Sequence, residues 1–126
     1  DNLIIYGHHM NDNSMFSSLV NYKNYSYYKN HKYIYFYTLR DGQTIESTYE
    51  IVIAFKTIAY SDKGFKYYNY TNFYDEQEFN SFVEKCHNLE FYNTGADLKY
   101  GDKLITLSTC EYSQKNGRMV IIAKKI

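Results

Sequence analysis

Hydrophobic positions in this chain fall mostly in short blocks, and their periods predict a strand-rich fold with few helices. Leu3, Ile4, Ile5 and Tyr6 form an apolar run ending at Gly7, which reads as a buried strand that delivers the next residues to a loop. Ser14 is placed to cap a short helix in which Met15, Phe16, Leu19 and Val20 recur at helical spacing. Residues 32–39 alternate aromatic and aliphatic side chains as a strand, Arg40-Asp41-Gly42 signals a tight turn, and residues 44–60 form a long β-branched and aromatic run, one bent strand or two. Residues 61–71 are polar and carry Asp62-Lys63-Gly64, so they predict a loop. Asp75 with Glu78 three residues on imitates a capping box, and Phe79, Phe82, Val83 and Cys86 then share one helical face. Beyond a loop bracketed by Asn93-Thr94-Gly95 and Tyr100-Gly101-Asp102, residues 103–109 and 118–126 are the last two strands, joined by the polar segment 111–117. The count is about five strands.

Composition narrows this reading. A chain of 126 residues suffices for one small domain. Fourteen basic residues balance fourteen acidic ones, and no basic block exceeds a pair such as Lys124-Lys125, which argues against nucleic acid or an anionic surface as partner. Seventeen tyrosines and the absence of proline and tryptophan favour a β-rich chain, since aromatics fit a pleated, half-buried surface. The apolar runs fall far below the roughly 20 residues needed to cross a bilayer, and nothing has the form of a signal peptide.

Candidate ligands and thiols thin out on inspection. Cys86 and Cys110 lie in different settings, and a single bridge is a weak framework for a chain of this size. The helical face around Cys86 marks it as core packing. His8 and His9 are adjacent without a Cys or Glu pair at zinc spacing, while Asp12, Asp41, Asp62 and Asp102 are scattered among turns, so neither zinc nor calcium is predicted. His31 in a polar turn and His87 at a helix end read as surface residues.

The chemistry concentrates near the C-terminus. Thr106-Leu107-Ser108-Thr109-Cys110 ends one strand, and Asn116-Gly117-Arg118 opens the next, with Arg118 eight residues after the cysteine. A thiol there can attack a carbonyl, and a guanidinium across the hairpin can face the oxygen as charge builds on it. His8, in Tyr6-Gly7-His8-His9-Met10, supplies a third group, because residues far apart in sequence can meet in the fold. Side chains of adjacent residues in an extended chain point opposite ways, so only one of His8 and His9 can face the cysteine.

These blocks, with the closing strand Met119-Val120-Ile121-Ile122-Ala123-Lys124-Lys125-Ile126 and the long insert 75–95, resemble the sortases. These are cysteine transpeptidases that anchor proteins to Gram-positive cell walls, and class B is the branch most similar. The resemblance covers essentially the whole chain. It implies a mainly β fold built on a closed barrel of eight strands, with a helix in the long loop before the last two. Three of those strands would precede residue 1, so that residues 1–126 form a single domain, the C-terminal portion of a catalytic domain whose cut sheet would leave open edges.

The resemblance assigns the catalytic roles to His8, Cys110 and Arg118, with Ser108 and Glu111 contacting substrate; Ser108, two residues before Cys110, points to the same strand face. The helix from Asp75 and the tyrosines after Thr71 would form one wall of the groove. The implied reaction cleaves a sorting signal similar to Asn-Pro-X-Thr-X after threonine, forms a thioester on Cys110, and passes the acyl group to an amine of peptidoglycan or of a lipid-linked wall precursor. Arg118 and a backbone N–H near Cys110, that of Glu111, would hold the oxyanion, while His8 protonates the leaving amine. No cofactor or metal is implied. The family's N-terminal tether would place the protein on the extracellular face of the cell membrane, through an anchor outside this chain. Two other readings stand beside this one. A non-catalytic β-rich surface module would carry an inert thiol. A different cysteine enzyme is the other: papain-like enzymes place the nucleophile before the histidine, and the L,D-transpeptidases, which keep the order seen here, have glycine before the cysteine and arginine within two residues after it.

Overall fold

The computed structural model describes residues 2–7, 17–58, 64–112 and 115–126. Within them, one mainly β, curled sheet has the strand order β1-β4-β5-β3-β2. Its strands are β1 (Asn2–Tyr6), β2 (Tyr33–Arg40), β3 (Gln43–Ile58), β4 (Leu104–Cys110) and β5 (Gly117–Lys125). The α-helices are α1 (Tyr25–Asn30) and α2 (Glu76–Leu89), and 3-10 helices occupy Ser17–Lys23 and Tyr67–Asn69. Pairing is antiparallel except for β1 against β4, which run parallel.

Both faces of the central strands are covered, which is why β4 and β5 are buried along nearly their whole length rather than at alternate residues. On one face Ile105, Leu107, Met119, Ile121 and Ala123 pack with Leu19, Tyr22 and Tyr28. On the other, Leu104, Val120 and Ile122 pack with Phe79, Phe82 and Cys86 of α2 and with Tyr67. The run at 44–60 is a single strand through Ile58 carrying a bulge between Ile51 and Ile53. The extra residue shifts the side-chain phase, so the consecutive Val52 and Ile53 both join the α2 side while Ile51 and Ala54 join the other.

Local signals account for the connections. Asp41 and Gly42 both take positive φ, at 52° and 77°, as a two-residue hairpin turn between Arg40 and Gln43 requires. The Asp75 carboxylate accepts the Glu78 N–H at 2.8 Å, and the Glu78 carboxylate accepts the Tyr74 N–H at 3.1 Å, so α2 begins with the expected cap. Gly64 is required by proximity: a Cβ there would lie 1.8 Å from the Ile58 carbonyl oxygen.

Two elements differ from the expectation. The helix expected from Ser14 is described only from Ser17 on, as a 3-10 helix, with Ser14, Met15 and Phe16 outside the described residues. It is followed by α1, capped by the Asn24 side chain on Ser26 N–H at 2.8 Å. Tyrosines dominate α1, and only Tyr28 is buried, so no apolar stripe announced it.

Candidate active site

The ladder itself assembles the site. β4 and β5 place Cys110 opposite Arg118, and the parallel pairing of β1 with β4 places Tyr6 beside Ser108. The Arg118 Nη1 lies 3.7 Å from Cys110 Sγ and donates to the Gly117 carbonyl at 3.0 Å, which orients the guanidinium. The Tyr6 hydroxyl lies 2.8 Å from the same sulfur, and its ring sits under the Arg118 guanidinium at 5.6 Å. Hydrogen bonding to Cys110, followed by partial burial, pushes the Tyr6 phenol up to about 12. It is therefore protonated at any ordinary pH.

Beneath this rung the chain is sealed. Ser108 is buried, and its hydroxyl bonds the hydroxyl of Tyr67, itself buried on the α2 side. Burial holds the Tyr67 phenol above its usual range. Ser108 thus lies on the same face as Cys110, as its two-residue offset predicts, with its hydroxyl engaged in the floor. Glu111 is buried too: its carboxylate pairs with Lys23 Nζ at 2.7 Å and stands 3.9 Å from Lys56 Nζ, tying the end of β4 to the 3-10 helix and to β3. The Glu111 backbone N–H, expected to serve an oxyanion, is already donated to the Gly117 carbonyl at 2.9 Å. In this structure the hairpin's own closing bond uses that donor, since a buried N–H must be paired.

A cleft of about 430 Å³ opens beside Cys110, lined also by Glu111, Tyr112, Lys115 and Arg118. A larger cavity of about 590 Å³ lies between α2 and the segment 64–70, lined by Lys66, Asn69, Glu78 and Lys85, with no cysteine or histidine among its described lining residues. The helix expected to wall the groove, α2, covers the sheet face that carries Ser108.

His8 and His9 lie outside the described residues, so the geometry assembles Cys110 and Arg118 of the three expected catalytic groups. Cys86 is fully buried, and burial raises its thiol far above the usual range, which leaves it inert beside the half-buried Cys110. His31 and His87 are exposed, His87 paired with Glu90 at 3.0 Å. Among the described residues no three His, Cys, Asp or Glu side chains cluster as metal ligands. Tyr6 and Tyr67 were missed as site residues. The signal for Tyr6 was its place directly before Gly7-His8, whereas one tyrosine among seventeen carries no spacing signal for Tyr67.

Comparison with known proteins agrees with this arrangement. The Sortase domain family model matches residues 1–126. Sortase B of Staphylococcus aureus (strain NCTC 8325 / PS 47) is 33% identical over 127 residues, which cover 99% of this chain and 48% of that protein. The chain thus spans about half the length of this curated relative. The Staphylococcus aureus sortase B–substrate complex matches with a TM-score of 0.80 and 32% identity over 99% of this chain and 55% of that one. A sortase B complexed with triglycine matches with the same TM-score, identity and coverage.

Proposed function

This chain belongs to the sortase family, and from that premise we propose that it carries the reactive centre of a class B cysteine transpeptidase. The supporting observation is the rung formed by Cys110 and Arg118, with Arg118 Nη1 3.7 Å from the sulfur. In this reading Cys110, as thiolate, attacks the carbonyl after threonine in a sorting signal similar to Asn-Pro-X-Thr-X. The carbonyl π pair moves to oxygen, where Arg118 faces it. His8 protonates the departing amine as the C–N bond breaks, leaving a thioester. An amine then attacks the thioester, giving its proton to His8 and expelling Cys110 as thiolate. The acceptor is an amine of a cell-wall peptide, in keeping with the triglycine complex of a similar sortase B.

Ser108 and Glu111 enter this proposal differently. Ser108 supports the floor under the bound peptide through Tyr67. Glu111 lines the cleft next to Cys110 while its carboxylate stays with Lys23.

Mass spectrometry after incubation with a library of sorting peptides is the test. An acyl group should appear on Cys110, and Cys110→Ala should neither acylate nor cleave while remaining folded. Undiminished cleavage by that variant would end the transpeptidase reading.

A further inference from the structure

Among the described residues, two side chains able to donate reach Cys110 Sγ: the Tyr6 hydroxyl at 2.8 Å and Arg118 Nη1 at 3.7 Å. An oxyanion born at Cys110 is separated from the sulfur by a single carbon, so donors that meet the sulfur are within reach of that oxygen. We propose that the Tyr6 hydroxyl is an oxyanion donor of this site, acting beside Arg118 on the tetrahedral intermediate. The inference rests on the transpeptidase reading.

The arrangement suits the task. Tyr6 sits at the end of β1, fixed by its parallel register with Ser108, and its ring lies under the Arg118 guanidinium, so both donors are set by one contact. Its phenol remains protonated up to about pH 12, with the bond to Cys110 as the leading cause. In the step itself Sγ forms a bond to the carbonyl carbon, and the C=O π pair becomes the oxyanion lone pair. Tyr6 turns its O–H from sulfur to that oxygen. It donates a hydrogen bond and transfers no proton; collapse returns the pair to C=O and expels the amine, protonated by His8. Before the carbonyl arrives, the same O–H is held by the sulfur.

Tyr6→Phe removes the hydroxyl and keeps the ring that supports Arg118, and Tyr6 is about half exposed, so the variant should fold. We expect kcat for peptide cleavage to fall on the order of 10², the usual loss for one oxyanion donor, with KM unchanged. A peptide aldehyde, which adds to Cys110 as a hemithioacetal bearing a tetrahedral oxygen, should lose affinity by a similar factor. Binding of the parent peptide to Cys110→Ala should be unaffected by adding Tyr6→Phe. Cleavage at wild-type rate, or aldehyde affinity equal to wild type, would overturn the Tyr6 assignment while leaving the transpeptidase reading in place. A wild-type protein that neither acylates with any sorting peptide nor captures the aldehyde would overturn both.

Discussion

Arg118 serves three contacts with one guanidinium: the Cys110 sulfur, the Gly117 carbonyl and the Tyr6 ring. A planar fork can satisfy all three, whereas a lysine ammonium is a point charge that cannot hold fixed donors in two directions. Arg118→Lys is therefore expected to lose transpeptidation on the order of 10², and Arg118→Ala more, with little change in melting temperature. A lysine variant running at wild-type speed would reduce Arg118 to general electrostatics. At this scale the sequence was legible where chemistry and position coincide: a cysteine ending one strand and an arginine opening the next have few readings other than a rung. Glu111 was legible only as a neighbour of Cys110. That its carboxylate is buried with Lys23 depends on an element 88 residues away.

Among the elements, α2 shows how far local rules reach. Asp75 and Glu78 marked its start, and Phe79, Phe82 and Cys86, its buried residues, lay on the predicted face. Removing the cap in Asp75→Ala exposes the Glu78 N–H of the first turn and should cost about 1 kcal/mol of stability, read from urea unfolding. Asp75→Asn, which keeps the acceptor, should recover most of it. An unchanged midpoint for the alanine variant would mean that packing of Phe79 and Phe82 alone holds the first turn. By contrast α1 depends on a tertiary bond at its end, where the Tyr22 hydroxyl donates to the His31 carbonyl at 2.7 Å, and on the burial of Tyr28 against the sheet. Six residues with little apolar periodicity leave too weak a local signal to be read.

The tyrosines act together at the scale of the whole molecule. Burial raises the phenols of Tyr22, Tyr28, Tyr67 and Tyr92, Tyr22 to about 12, and Tyr6 reaches a similar value mainly through Cys110. Their ordinary value is 10.0. Above that pH the unfolded chain releases these protons while the folded chain retains them, so the fold binds more protons and loses stability as pH climbs. The contribution is fully present below pH 10 and is lost toward 12 and above. Urea midpoints are expected to stay level on the alkaline side until about that ordinary value and then fall. Phenolate absorbance should develop in two waves, the later one coinciding with unfolding. A single wave at the ordinary value with the fold intact would show that these hydroxyls are not sequestered.

Sequence alone determined what depends on neighbours along the chain. The Asp41-Gly42 hairpin, the α2 cap, the strand blocks and the Cys110–Arg118 rung follow from turn chemistry and side-chain period, because a short antiparallel connection sets its own register. Only the tertiary structure decided the sheet order and the parallel seat of β1 on β4, and with them the meeting of Tyr6 and Cys110 across 104 residues and of Tyr67 and Ser108 across 41. A parallel neighbour has no turn to fix its register. Its partner is selected by burying both faces of β4 and by pairing Asn2 with Thr106 and with the carbonyl of Tyr70, contacts that exist only once the whole sheet has assembled around them.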